Sequence, residues 1–378
     1  MPFSARQGFF HTAAATPPAP GNVLPDYPSV PTESQYINYL ANATANSATV
    51  FNDNITPDVT VHGSTIVSFT DQDMYVIPRE SGNFVKLDTS TNTYSDMSAT
   101  ASSNQFQGAS LGLHGNIVCA PFASNNPGEY DPTTDTLTVI STSGGPSSPS
   151  YYEALTLPDG DHLFLPKNNH KMIRYTPGNT TVRQVGDATG GSFQWGGFCL
   201  APNGNVYIVP EGDTNVHKYD PVADTFTTIA GGISGKYTSA AVDSTGNVIG
   251  GPHNVSNFLH IDTSTDTVTT KTYGLTVDTG STPYTNGACT GPNGNVFFAA
   301  FNRPSHYEID GSAETGTKYT SSFTPQYFAI NAGHSGSVYA QSQNSDKAVR
   351  FDCNANTSIN DANVQFTYTL TPVGSMSS

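Results

Sequence analysis

Charge is scarce in this chain. Of 378 residues only 12% are charged, and 14 Lys and Arg face 30 Asp and Glu, for a formal net charge of -16. So few cations leave nothing to hold phosphate backbones or anionic headgroups, which argues against nucleic acid and membrane as partners. Long apolar runs are missing as well. No stretch approaches the roughly 18 apolar residues that span a bilayer, and the first ten residues lack the continuous apolar core of a secretory signal. Cysteine is limited to Cys119, Cys199, Cys289 and Cys353, with no C-x-x-C pair. That argues against a zinc site and predicts free, buried thiols. No His-x-x-His, His-Glu-x-x-His or Gly-x-Ser-x-Gly phrase occurs. Neither metal nor nucleophilic catalysis has a linear anchor, so no catalytic residue, metal or cofactor is expected and the chain reads as non-enzymatic.

What the chain has in abundance is repetition. One phrase is written seven times, most clearly from Trp195 through Pro202-Asn203-Gly204-Asn205-Val206 to Tyr219-Asp220-Pro221 and Asp224-Thr225. With Val206 as reference, the equivalents are Met74, Ile117, His162, Val206, Val248, Val296 and Val338, at steps of 43, 45, 44, 42, 48 and 42. Nineteen residues after each reference stands threonine: Thr93, Thr136, Thr181, Thr225, Thr267, Thr315 and Thr357. Two residues before it, six copies carry glycine, usually followed by Asn or Asp, which marks a tight hairpin between two apolar runs of strand length. A third strand ends at Asp220, and a fourth follows the Asp-Pro-x-x-Asp-Thr turn, whose first carboxylate caps backbone amides.

Four strands per repeat, a period in the low forties and seven copies predict an all-β fold, a seven-bladed β-propeller over residues 57–372. An extended N-terminal arm (1–56) precedes it and a short tail (373–378) follows. The Asn/Asp-Gly-Asn hairpins resemble those of the NHL, kelch-like and streptogramin-lyase propellers; the Pro-Asp-Gly-Asn phrase of the last group survives as Pro202-Asn203-Gly204-Asn205 and Pro292-Asn293-Gly294-Asn295. The metal-binding His and Glu pattern of that group finds no match here. Ring closure is expected to join residues 58–62 and 364–370 in one blade.

The arm is rich in Ala, Pro, Thr and Ser, and is either a disordered tail or a segment that orders against a neighbouring subunit. In the second case Phe3, Arg6, Phe9, Phe10 and Tyr27 are the anchors. Tyr36, Tyr39 and Leu40 suggest a turn or two of helix near residues 32–42. The opening Ser4-Ala5-Arg6-Gln7-Gly8-Phe9-Phe10 resembles the first residues of small structural proteins of tailed bacteriophages. That resemblance implies a virion component, capsid- or tail-associated, located in the particle, whose partners are other virion proteins and copies of itself.

Two residue sets are brought together by register. Eleven residues before the reference stand Phe106, Tyr151, Trp195, Tyr237 and Tyr327, with Tyr284 one residue earlier in a sixth copy. They either wedge between blades or form a channel-mouth platform, which would make the chain an adhesin for a host surface glycan. The second set lies in loops after the second strand: Arg79, Glu80, Lys167, Asn169, His170, Glu211, Asp213, His253, Asn254, Arg303 and His306. These are either solvated loop charges or a recruited site.

Overall fold

In the computed structural model, the described residues are 47–52, 62–67, 73–79, 81–89, 91, 93–112, 115–123, 126–146, 150–167, 171–186, 194–278, 285–320, 326–332, 337–342 and 347–352. Among them strands are the only regular elements, in seven sheets of four. The hairpin chemistry explains why. In the fourth blade, Pro202 and Asn203 form the turn, Gly204 takes φ 85°, and the Gly204 amide donates to the Ala201 carbonyl at 2.9 Å. This is a type I turn closed by a left-handed residue, which glycine adopts without steric cost. It joins Trp195–Leu200 to Val206–Pro210, which pair antiparallel. Val216–Asp220 and Thr225–Ala230 complete the sheet in sequence order. At the second turn the Asp220 carboxylate accepts the amides of Val222 and Ala223 at 2.8 and 2.9 Å, as expected from its sequence.

Burial grades outward across each sheet. The second strands, Met74–Pro78, Ile117–Pro121, His162–Pro166, Val206–Pro210, Val248–Pro252 and Val296–Ala300, are buried along their whole length. Outer strands such as Thr225–Ala230 and Thr267–Lys271 are threonine-rich and largely exposed. Apolar side chains fill the spaces between blades, where each well-buried Val, Ile or Leu contributes about 2 kcal/mol. The inner strands touch their neighbours in a closed cycle, His62–Val67 meeting both Phe106–Leu111 and Tyr327–Ala332. The axis is crowded: a Cβ on Gly196 would lie 1.7 Å from the Tyr237 carbonyl oxygen, and one on Gly197 2.6 Å from Ser239 Cα.

Closure differs from the expectation. The outer strand of the seventh blade is Ser47–Asn52, paired antiparallel with Lys347–Asp352. His62 begins the inner strand of the first blade, so the two terminal segments expected to share a blade do not supply that edge; residues 58–61 and 364–370 lie outside the described residues. Inter-blade loops here are of the length that separates Asn52 from His62, so an outer strand placed just upstream of blade one reaches the open edge of blade seven without a long crossover. The expected helix over 32–42 and all five arm anchors, Phe3, Arg6, Phe9, Phe10 and Tyr27, also lie outside the described residues.

Candidate functional site at the channel mouth

Strand direction divides the ring into two faces. The hairpins and the Asp-x-x-x-Asp turns share one face; the starts of the inner strands and the ends of the second strands share the other, the mouth face. Cys119, Cys199 and Cys289 are free and buried, as expected, and burial pushes the thiols of Cys119 and Cys199 far above their ordinary range, leaving them inert.

The aromatics of the first set start the inner strands. Phe106, Tyr151 and Tyr327 are fully buried, Trp195 is 2% exposed and Tyr237 1%; Tyr284 lies outside the described residues. Trp195 packs on His217 and Phe226 and joins Leu155, Leu163 and Met172 of the preceding blade in one core cluster. Tyr327 packs on His306 of the preceding blade. The stacking-platform expectation is corrected: rings covered by two blades present no face to a sugar, and the wedge arrangement holds.

The second set is dispersed. Asp213 is committed to structure, accepting from His217 Nε2 at 2.8 Å. Asn254 is exposed. His306 is not a loop residue at all: it lies in Ser305–Asp310, 1% exposed, between Tyr327 and Phe351, with its pKa pushed down to about 3 by burial. Glu80, Asn169 and His170 lie outside the described residues. Arg303 is half-buried in the loop before Ser305, and the other four members fall into a pattern. The residue directly following the second strand is Arg79, Phe122, Lys167, Glu211, His253 and Phe301 in blades one to six. Each is half-buried. Four are held identically, the amides of Phe122, Lys167, Glu211 and His253 donating to the carbonyls of Gln105, Ser150, Gln194 and Lys236 at 2.7 to 2.9 Å. The backbone is thus equivalent from blade to blade while the chemistry changes at every step.

These side chains interact around the mouth. The Arg79 guanidinium carbon and the Lys167 ammonium nitrogen each lie 5.1 Å from the centroid of the Phe122 ring, within cation–π range. Burial, and then the Arg79 charge, lower the Lys167 pKa, while Glu211 opposes them. Glu211 Oε1 stands 3.3 Å from His253 Nδ1.

Two further residues escaped the sequence reading. In every blade the inner strand slips register at its mouth end, and such bulges re-aim side chains. The third residue of the inner strand, at this slip, is Ser64, Gly108, Gly197, Ser239, Gly287 or Ala329 in six blades and Glu153 in the third. A single glutamate among small residues is legible from the register alone. Burial pushes the Glu153 carboxyl up to about 8, the Phe198 amide partly offsets this, and the Glu211 charge adds to it. Its neighbour Tyr152 donates to the Trp195 carbonyl, and its phenol is raised well above the ordinary range by burial and then by Glu211 and Glu153. Among the described residues no three His, Cys, Asp or Glu side chains are grouped as a metal site would need. No helix among them is long and apolar enough to cross a membrane.

No protein-family model matches the chain, and no curated protein matches it. Solved structures do resemble it. A streptogramin B lyase superposes with a TM-score of 0.68 at 12% identity over 81% of this chain and 98% of the other. Virginiamycin B lyase from Staphylococcus aureus gives 0.66 at 12% identity over 81% and 99%. YCF48 bound to D1 peptide gives 0.63 at 9% identity over 83% and 97%. The reading of this chain as non-enzymatic is overturned by the first two: enzymes are built on this ring, so a missing linear motif is no ground for excluding catalysis. None of these neighbours supports the phage-like reading of residues 4–10. Identities this low carry the fold and nothing beyond it, and what they place securely is the architecture: a seven-bladed propeller with four-stranded blades, similar to the streptogramin-lyase ring.

Proposed function

We propose that the chain is a recognition and assembly component of a tailed-phage-like particle, tethered by its leading segment and reading a partner with its mouth face. The observation that carries the recognition half is the run Arg79, Phe122, Lys167, Glu211, His253 on equivalent positions, the last four of them hydrogen-bonded alike. Repeats that serve only to build a ring have no reason to differ there. The tethering half draws on the opening Ser4-Ala5-Arg6-Gln7-Gly8-Phe9-Phe10 and on the pairing of Ser47 with Asp352. That pairing starts the closing strand, at Ser47, on the outer rim of blade seven at the hairpin face, away from the mouth. Anchoring and recognition then occupy opposite faces and do not compete. Other virion proteins and further copies of this chain are the partners such an arrangement would join.

The test is a truncation that removes residues 1–46 and keeps the closing strand. It is expected to leave the melting temperature of the isolated ring unchanged and to abolish incorporation into purified particles. Normal incorporation would remove the tethering role.

A further inference from the structure

We propose that Thr228, His217 and Asp213 form a nucleophile, a base and a positioning acid on the outer rim of the fourth blade, and that the chain hydrolyses esters of short carboxylic acids there. This activity does not rest on the mouth reading. Strand pairing, not a linear motif, assembles the site: His217 and Thr228 are cross-strand partners in Val216–Asp220 and Thr225–Ala230. Thr228 Oγ1 lies 3.2 Å from His217 Nδ1, and Asp213 Oδ2, in the preceding loop, lies 2.8 Å from His217 Nε2. A carboxylate accepts and does not donate, so Nε2 carries the ring's hydrogen and Nδ1 is left as the acceptor. The Thr228 hydroxyl then donates to Nδ1. That is the tautomer in which an imidazole can take the proton of a hydroxyl nucleophile.

The repeat carries the second part of the argument. At the position of His217 the other six blades hold Val85, Gly128, Ile173, Leu259, Tyr307 and Val349, so building a blade requires no imidazole there. The ring of His217 is also held in place. Phe226 stacks on it, with centroids 4.9 Å apart and planes at 25°, and Trp195 meets it edge-on at 5.7 Å. With two rings and a carboxylate fixing its plane, little reorganisation precedes proton transfer. His217 is only 7% exposed while Thr228 is exposed, so the base is shielded and the nucleophile is open to substrate. Phe226, half-buried and two residues from Thr228 on the same face of the strand, gives a short acyl chain an apolar wall.

In the reaction Thr228 Oγ1 attacks the acyl carbon as its proton passes to Nδ1; the ester C–O bond breaks, and the departing alcohol takes that proton. Water then attacks the acyl-threonine, Nδ1 takes the water's proton and returns it to Oγ1, and the carboxylic acid leaves. Asp213 steadies the imidazolium in both steps.

The experiment follows hydrolysis of p-nitrophenyl acetate by the full chain, with peptide mass spectrometry of the quenched reaction. Turnover with an acetyl group on Thr228 is expected. Thr228→Val, which keeps the shape of the side chain, should lower the rate at least about hundredfold with the melting temperature unchanged, and Thr228→Ser should restore most of it. Asp213→Asn should lower kcat about tenfold or more at unchanged KM, because Asp213 acts only through the ring. Thr270→Val alters the same strand position of the fifth blade, where the partner is Leu259, and should leave the rate as it is. Turnover that survives Thr228→Val, or equal losses in Thr228→Val and Thr270→Val, would overturn the proposal, as would a folded chain that releases no nitrophenolate.

Discussion

The hairpin face and the mouth face of this ring are made of the same seven repeats and behave in opposite ways. On the hairpin face, the second acid of the Asp-x-x-x-Asp turn recurs in a left-handed conformation at Asp135, Asp224, Asp266 and Glu314, with φ between 52° and 57°. Each carboxylate reaches back to the preceding blade: Asp135 to the amides of Ser98 and Ala99, Asp224 to Arg183, Asp266 to Lys218, Glu314 to Lys271. Tyr130, Tyr219 and Tyr207 add phenol hydrogen bonds to the first three. On the mouth face, equivalent positions hold a guanidinium, a ring, an ammonium, a carboxylate and an imidazole in turn. Uniform chemistry holds blade to blade; varied chemistry is where a ring with pseudo-sevenfold symmetry stops being symmetric, and an asymmetric ligand can be read only there.

The comparison breaks most visibly at the axis that both faces share. Gly196→Ala puts a methyl group 1.7 Å from the Tyr237 carbonyl oxygen, a backbone clash between inner strands that no side-chain rotation relieves. The expected loss is about 4 kcal/mol or more, read as failure to accumulate folded protein or as a melting temperature lowered by more than ten degrees, roughly. A truncation through Asn52 should do comparable harm where one through residue 46 does none, because only the former opens the blade closed by Ser47–Asn52. A wild-type melt in either case would mean that the ring closes some other way.

Next in size is Arg174, only 10% exposed, which holds Asp159 and Asp161 of its own hairpin and donates to the Pro221 carbonyl of the next blade at 2.9 Å. Arg174→Met leaves two acids facing each other without their cation and should cost about 3 kcal/mol. Lys167→Ala on the mouth face should stay within about 0.5 kcal/mol of wild type. Chemical denaturation of the two variants measures the contrast between faces directly; equal losses would dissolve it.

How much of this was legible beforehand follows from what a repeat encodes. The hairpin at Pro202-Asn203-Gly204 and the cap at Asp220 are local chemistry, and each lies where the residues said. Trp195 and its equivalents were placed at the correct end of the inner strand, but whether a ring is wedged or exposed depends on the distance to the next blade, which no spacing within one copy reports. His306 was misplaced because the loop before Ser305 is one residue shorter than those before Met172, Val216 and Phe258. Glu153 and Phe122 were visible by register and silent by motif, since their partners come from different blades. The closing strand Ser47–Asn52 carries no hairpin phrase, being one strand of a sheet whose other three lie some 300 residues away.

A smaller effect sharpens the mouth through pH. Glu153 faces Tyr152 on its own strand, Cys199 and the Phe198 amide on the neighbouring strand, and Glu211 beyond. Its carboxyl is pushed up to about 8, so the folded chain holds this proton more tightly than the unfolded one. Its contribution is full below the ordinary glutamate range and is lost as pH rises through 8. Glu153→Gln, neutral throughout, should match wild type at acidic pH and exceed it above pH 8 by about 2 kcal/mol. On the acid side His162 and His306, both pushed down to about 3 by burial, lose stability as pH falls below the ordinary histidine range, in wild type and variant alike. A pH-independent difference between the two proteins would mean that Glu153 is already ionised.

The smallest effects should fall in order along the hairpin-face latches, because screening grows with exposure. Asp266 is 31% exposed and holds both Lys218 and the Tyr207 phenol, Asp224 is 47% exposed and holds Arg183 and the Tyr219 phenol, and Glu314 is 64% exposed and holds Lys271 alone. Asp266→Asn should cost about 1 kcal/mol and Asp224→Asn about 0.5 kcal/mol, with no measurable change for Glu314→Gln. Asp266→Asn and Asp224→Asn keep the turn, since asparagine tolerates the left-handed conformation nearly as well as aspartate, and Glu314→Gln keeps the shape of the side chain it replaces. If the three losses were equal, the contribution would come from the turn and not from the ion pair, and the hairpin face would be a set of independent loops instead of a belt that ties each blade to the next.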